Sequence, residues 1–306
     1  MARKSDSPLH GILLVDKPAG WTSHDVVARV RRLTGQRRIG HTGTLDPAAT
    51  GLLVLCLGQA TRLVEYITAH DKRYTGEIVL GRTTTTDDAE GDALETRTVP
   101  PISAEDLASL ARRFTGVLQQ VPPAFSAVSV NGQRAYHAAR TGTALELPAR
   151  TITVHSLHLT WASSARLTVE VHCGPGTYIR SLARDIGAEL GCGAHLASLR
   201  RHASGTFDVR DAWTLAEIES LAAAGQVKPA LLPADEGMTA FDAAILGPEG
   251  AAELSFGRAY SPASTPIRPA AVARLYASDG TFKGVVSLSS SGQITPVKLL
   301  NLPNSA

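Results

Sequence analysis

Several things are scarce in this chain of 306 residues. Aromatic residues make up only 5% of it, and there are three cysteines, Cys56, Cys173 and Cys192. They are odd in number, far apart and never in a C-x-x-C pair, which excludes a disulfide scaffold or a zinc ribbon and fits a reducing compartment. No apolar run approaches the roughly 20 residues of a membrane span; Leu52–Leu57 is among the longest. The first residues, MARKSDSPLHG, are polar and lack the apolar core of a signal peptide. A cytoplasmic protein without membrane association is expected. No Rossmann fingerprint or P-loop is present. The ten histidines are scattered without paired ligand spacing, so neither a metal nor another cofactor is expected.

What is there reads as globular. Hydrophobic residues are 43% and charged residues 19% of the chain, enough apolar material for a sizeable core. The length favours two domains. Ile12–Val15 reads as a strand, followed by a helix capped by Thr22 or Ser23, with Val26, Val27, Val30 and Leu33 on one face and Gly35 as its stop. Leu52–Leu57 fits a buried strand or a buried helix equally. Tyr74–Leu80, Ile152–Trp161 and Leu167–Cys173 read as strands. Ser103 with Asp106 and Thr214 with Glu217 have capping-box spacing. Ile179, Leu182, Ile186 and Leu190 form a helical stripe that ends at Gly191. Strands without a regular βαβ rhythm predict an α+β fold, a mixed and mainly antiparallel sheet flanked by helices. Gly225, Pro229, Pro233 and Gly237 mark a boundary. Beyond it, Val272–Tyr276 and Phe282–Leu288 flank an Asp279-Gly280 turn, so a small β-rich unit is expected there.

Net charge is +2, and the total does not announce a nucleic-acid partner. Its distribution says more: Arg29, Arg31, Arg32, Arg37 and Arg38 fall within ten residues, and Arg200, Arg201 and His202 are consecutive. Such clusters suit either a solvated surface or a face that tracks a phosphate backbone.

The most unusual stretch is Gly40-His41-Thr42-Gly43-Thr44-Leu45-Asp46-Pro47. Taken alone, its Asp-Pro is a common helix start, with the aspartate as cap. The wider sequence points elsewhere. Gly40–Pro47, continuing as AATGLLVLCLGQATRL, resembles the signature of the bacterial tRNA pseudouridine-55 synthases. Lys17-Pro18-Ala19-Gly20-Trp21-Thr22-Ser23 resembles that family's lysine-proline-glycine motif. Lys72-Arg73-Tyr74 to Leu80-Gly81, with Thr83, Thr85, Asp87 and Gly91, resembles its tyrosine motif. Pro122-Pro123 to Ser126-Ala127, with Gly132 and Tyr136–Arg140, resembles the next block. Gly176 to Asp185, with Gly191–His195 and Leu199-Arg200-Arg201, resembles its arginine motif. Five motifs in the family's order cover residues 11 to about 210.

The resemblance implies the pseudouridine synthase fold and a C-terminal RNA-binding module of the PUA type. We divide the chain accordingly into a loose tail (1–9), a catalytic domain (10–235) and the PUA-like unit (236–306). It implies isomerisation of a uridine in the T loop of tRNA by an enzyme that needs no guide RNA and no protein partner; a monomer is expected, since no exposed heptad or apolar helix stripe requires a second chain. Asp46 matches the family's catalytic nucleophile and Arg180 its ion-pair partner. Tyr74 matches the tyrosine that stacks on the flipped base, Tyr178 a second active-site tyrosine, and Leu199 an apolar wall. His41 matches the residue that enters the space vacated in the T loop. Lys17, Gly43, Thr44, Arg37, Arg38 and Arg200 are the remaining candidate RNA contacts.

The chemistry suits those residue types. Uridine is joined to its sugar through N1, pseudouridine through C5, so one bond breaks, the base turns and another forms with no net redox change. A carboxylate can divide that change into easier steps: by attack at C1′, by attack at C6, or by helping to remove the C2′ proton. A target base must first leave its stack, and an aromatic ring offers it a flat surface. Three other readings stand beside this one: a guide-RNA-dependent synthase with the same core, an RNA-folding chaperone, and a glycosidase. The last lacks an evident second acidic partner.

Overall fold

The apolar run that periodicity leaves undecided becomes a strand, because it has neighbours on both sides to take its backbone hydrogen bonds. The structure, a computed structural model, describes residues 9–126, 128–130, 133–140, 145–262 and 269–302. Residues 1–8 of the expected tail, and Ala127 and Gly132 of the fourth motif, lie outside them.

The chain begins with β1 (Gly11–Lys17), α1 (Ser23–Thr34), β2 (Ile39–His41) and β3 (Thr50–Leu57). Thr22 caps α1 in a capping box with Asp25, and Gly35 ends it in the left-handed region. Next come α2 (Val64–Thr68), β4 (Lys72–Leu80), the paired β5 (Arg82–Thr84) and β6 (Ala93–Thr96), α3 (Ala104–Arg113) and β7 (Gly116–Gln120). The small pair β8 (Ser129–Val130) and β9 (Gln133–Arg134) precedes α4 (Ala135–Arg140), β10 (Arg150–Ser163), β11 (Arg166–Cys173) and α5 (Ile179–Glu189). Then follow β12 (Ala194–Ser204), β13 (Phe207–Asp208), β14 (Trp213–Thr214) and α6 (Leu215–Ala223). The last part holds β15 (Ala243–Leu246), α7 (Pro248–Ser255), β16 (Ala270–Ala277), β17 (Phe282–Leu288) and β18 (Ile294–Leu299).

One large sheet runs in the order β14-β1-β3-β12-β4-β11-β10-β7, with β2 on β3 and β13 on β12. Only β1–β14 and β3–β12 are parallel, so the expected mixed, mainly antiparallel sheet is what forms. One core lies between this sheet and α3 and α5, where Leu107, Leu110, Ile179, Leu182 and Ile186 meet Ile78, Val154, Val169 and Leu196. A second lies under α1 and α6, with Val26, Val30 and Ile218 against Leu13, Val15, Leu53 and Leu55.

The expected β-rich unit at the C-terminal end is a four-stranded sheet, β15-β16-β17-β18. Phe282, Val285 and Leu300 from it join Ile12, Leu14, Leu52 and Val54 in one apolar cluster. The small sheet is therefore seated on the large one through a shared core.

Ser103 accepts a hydrogen bond from Asp106 N at 3.1 Å, and Asp106 Oδ2 accepts from Ser103 N at 2.8 Å. Ser103→Ala should cost about 1 kcal/mol. That corresponds to a fall of about 2–4 °C in unfolding temperature, read by calorimetry, with activity unchanged because no residue of α3 lines the cleft beside Asp46.

Candidate active site

Asp46 lies in the connection from β2 to β3, and the local sequence explains why it does not cap a helix. Pro47 and Ala48 form a turn, closed by Ala49 N donating to Asp46 O at 3.1 Å, and the chain enters β3. Leu45 is buried in the core beside Asp46. Its backbone is fixed by Ser23, whose hydroxyl accepts from Leu45 N at 2.9 Å and donates to Leu45 O at 3.1 Å. Lys17 completes the support. It is 0% exposed, and its ammonium donates to the carbonyls of Pro18 (3.0 Å), Trp21 (2.6 Å) and Pro47 (3.1 Å). Burial pulls its pKa down to about 8, with the Asp46 carboxylate opposing that shift. Lys17 thus ties the lysine-proline-glycine loop to the Asp46 loop and has no donor left for RNA.

Arg180 comes from the first turn of α5. Its guanidinium grips Asp46 through two parallel contacts, Nε to Oδ2 at 2.9 Å and Nη2 to Oδ1 at 3.2 Å. The Arg180 side chain is 7% exposed and that of Asp46 39%, so the carboxylate opens to the cleft while its partner does not. The remaining guanidinium donors are satisfied by Thr86 O at 3.0 Å and Phe125 O at 3.0 Å, with Asp88 Oδ2 at 3.5 Å. Asp88 accepts in turn from the Thr86 hydroxyl and from Glu90 N. The loop that carries them closes only because residue 91 is glycine: a Cβ there would meet Thr86 Oγ1 at 2.4 Å. Gln120 clamps the start of α5, accepting from Tyr178 N at 2.9 Å and donating to Tyr178 O at 3.1 Å.

Opposite this pair lies an apolar floor. Tyr74 on β4 is buried, and Leu199 on β12 is packed against the same cluster. Burial raises the Tyr74 phenol above its ordinary pKa, and the Arg201 guanidinium opposes that rise. Arg201 pairs with Tyr74 across β12 and β4. It is 3% exposed and donates to Leu52 O at 2.6 Å and Gly43 O at 3.1 Å. Gly51 permits this approach: it has φ +96°, and a Cβ there would meet Arg201 O at 2.2 Å. Burial likewise raises the Tyr178 phenol, with Ser126 acting the other way. No hydrogen bond joins the Tyr178 hydroxyl to Arg180 or Asp46 among the described residues. The cleft between these walls measures ≈ 780 Å³, and Thr44, Gly43, Lys72, Phe125 and Tyr136 also line it.

The structure therefore brings Asp46, Arg180, Tyr74, Tyr178 and Leu199 together, with Gly43 and Thr44 at the edge. His41 adjoins the cleft at the end of β2; its ring meets His24 edge-on at 5.5 Å, and its Nδ1 is buried without a partner. Arg37 and Arg38 are exposed on the loop after α1 and do not line the cleft. Arg200 is held by Asp16 through two contacts, at 3.0 and 2.8 Å, and Arg29 pairs with Glu219. Only part of the basic cluster is thus left for phosphate. Sequence reading missed Asp88, Glu90, Gln120 and the role of Arg201. Asp88 and Glu90 bring to the cleft the further carboxylates that the sequence alone does not place there. Their motif neighbour Asp87 instead pairs with Arg184 at 2.9 Å.

Burial, the largest cause in each case, lowers the pKa of His10, His41, His70 and His172 below 6.5. Below pH 6.5 the unfolded chain therefore binds protons that the folded chain refuses. Stability should fall as pH drops from 6.5 through the lowered values. Unfolding temperatures at pH 7.5 and 5.5 check this, and His70→Gln should flatten the slope.

One arrangement runs against the scattering of histidines along the chain. Asp71, His155 and His172 present ligand atoms within 4.8 Å of one another, on the surface and outside the cleft lining.

The model of the TruB family pseudouridylate synthase N-terminal domain matches residues 31–179. That of the tRNA pseudouridylate synthase B C-terminal domain matches residues 180–239. The tRNA pseudouridine synthase B of Leifsonia xyli is 50% identical over 256 residues, 81% of this chain and 82% of that protein. That of Xanthomonas campestris pv. campestris is 42% identical over 300 residues, 98% and 96% of the two chains. Among solved structures, a Cbf5-Nop10-Gar1 complex gives a TM-score of 0.74 at 22% identity, over 96% of this chain and 86% of that one, a likeness of fold. An H/ACA RNP bound to a substrate RNA matches to the same TM-score at 21% identity, over 97% and 86%. Among the described residues no helix is long and apolar enough to cross a membrane. With family models matching residues 31–239 and relatives along nearly its whole length, the chain belongs to the TruB family of tRNA pseudouridine synthases, enzymes that isomerise uridine within RNA.

Proposed function

We propose that this enzyme isomerises the uridine at position 55, in the T loop of tRNA, with Asp46 as its nucleophile. It works as a monomer in the cytoplasm without cofactor, guide RNA or protein partner. The observation that carries the reading is the Asp46 carboxylate, open to the cleft yet held at both oxygens by buried Arg180, facing an apolar floor of Tyr74 and Leu199. A flipped base needs that floor, and a cleft of ≈ 780 Å³ has the size of sites that enclose small ligands.

In this reading the residues act as follows. Tyr74 stacks on the base, and Asp46 initiates cleavage of the N1–C1′ bond. The base turns in the cleft, C5 bonds to C1′, N1 takes a proton and the C5 proton leaves to solvent. The substrate and product are isomers. Arg180 holds the carboxylate aimed into the cleft. His41 fills the space the base vacates, and Arg37 and Arg38 meet phosphates. Residues 10–235 act as the catalytic domain and 236–306 as a PUA-type unit that holds more of the RNA.

The test is a T-arm hairpin labelled with tritium at C5 of the target uridine. Release of tritium to water by the purified protein alone is expected. No release from either the hairpin or full-length tRNA would overturn the reading in favour of a partner-dependent enzyme or a chaperone.

A further inference from the structure

We infer that Asp71, His155 and His172 form a binding site for one divalent transition-metal ion of the zinc class, on the outer face of the large sheet.

The three residues are far apart in sequence and meet through the sheet. β11 lies between β10 and β4. His172 is on β11, His155 on β10, and Asp71 immediately precedes β4. The register jumps from Val154 opposite Cys173 to Ser156 opposite His172, so His155 is the extra residue of a β-bulge. A bulge re-aims a side chain. Here His155 and Ser156 are both turned off the buried face, while Val154 and Leu157 remain in the core. The two imidazoles then lie 4.7 Å apart, centre to centre. Asp71 Oδ2 stands 3.2 Å from His155 Nε2 and 3.9 Å from His172 Nε2. The backbone of Asp71 is fixed by Gly205 N donating to its carbonyl at 2.8 Å.

Zinc–nitrogen bonds of 2.0–2.1 Å set tetrahedral ligand atoms about 3.3 Å apart. Of the three separations, Asp71–His155 already matches, Asp71–His172 needs a side-chain adjustment of about half an ångström by that measure, and the two imidazole nitrogens lie within 4.8 Å of each other. Two imidazoles and one carboxylate are a donor set for zinc, cobalt or nickel rather than for calcium or magnesium. Three protein ligands leave a fourth position for water. Metal binding needs neutral imidazoles. The cluster lies outside the catalytic cleft, so no step of the isomerisation passes through the metal.

The experiment uses the full chain, stripped with a chelator and titrated with Co(II). We expect visible d–d bands that saturate at one Co(II) per chain with micromolar or tighter affinity and vanish on adding Zn(II). His155→Gln and His172→Gln should each weaken binding at least about tenfold, with unchanged circular dichroism. Zn(II) should raise the unfolding temperature of the natural chain and not of those variants. Tritium release by the metal-free protein should equal that of the loaded protein. No Co(II) bound at about a hundredfold above micromolar, or binding undiminished in both variants, would overturn the site and leave a surface His–Asp ion pair.

Discussion

Asp46→Asn is expected to lower the rate of tritium release by about 10³-fold or more, some 4 kcal/mol of activation free energy, with RNA binding nearly intact. The asparagine keeps the volume and the turn, since Leu45, Pro47 and Ala49 hold the loop through backbone contacts and not through the carboxylate. What is lost is the negative charge and the oxygen proposed as the nucleophile. The amide also presents an N–H₂ group to a guanidinium that has only donors, so its pairing with Arg180 is halved. Binding should persist, because apolar stacking on Tyr74 and phosphate contacts do not need the carboxylate. Single-turnover kinetics beside an equilibrium binding assay separate the two. A rate within tenfold of the natural enzyme would remove Asp46 from the reaction.

Arg180→Met should be the second largest effect, and it acts on both activity and stability. The methionine fills much of the volume but leaves Thr86 O and Phe125 O without their donor and Asp46 and Asp88 without their cation. Asp46 is partly exposed, so water offsets part of the loss. A cost of about 2–4 kcal/mol in stability remains. The rate should fall about 10²–10³-fold. Arg180→Lys separates the roles. Its charge survives, so the fold should recover most of its stability. A single ammonium cannot reproduce two parallel contacts plus two carbonyl bonds, so the rate should stay at least about tenfold down. In the Asp46→Asn background, Arg180→Met should add little further loss of rate, because residues that act as one unit are not additive. Full additivity would mean that Arg180 serves the reaction independently of Asp46.

Much of the architecture is legible in the sequence. The capping boxes at Ser103 and Thr214 start helices where their spacing says, and Thr22, one of the two caps open for the first helix, caps α1, because a cap is satisfied within four residues. The alternation of Leu167, Val169 and Val171 marks β11, and Asp279-Gly280 turns between β16 and β17. The Asp-Pro reading is different. Local chemistry favours a helix cap, and the structure gives a turn into a strand, because the hydrogen-bond partners of Leu45 and Pro47 come from Ser23 and Lys17 at a distance. β12 also escaped local reading. Its Arg200, Arg201 and His202 read as a basic surface segment, yet Arg201 is buried in the middle of the sheet. A buried guanidinium is stable there only because Leu52 O and Gly43 O accept its protons.

The motifs by themselves determined the family and single out a carboxylate, an arginine and an aromatic residue that the fold brings to one cleft, since each is a matter of residue type in a fixed local order. Tertiary structure alone decided which charges are free. Arg200 and Lys17 look from the sequence like candidates for RNA, and the fold commits them to Asp16 and to three carbonyls. It also decided that Asp88, Glu90 and Gln120 belong to the site, and that Asp71, His155 and His172 converge. Such pairings depend on strand order and on a single bulge in β10. These are set by how distant segments bury their apolar faces against one another, and no short window of sequence contains that information.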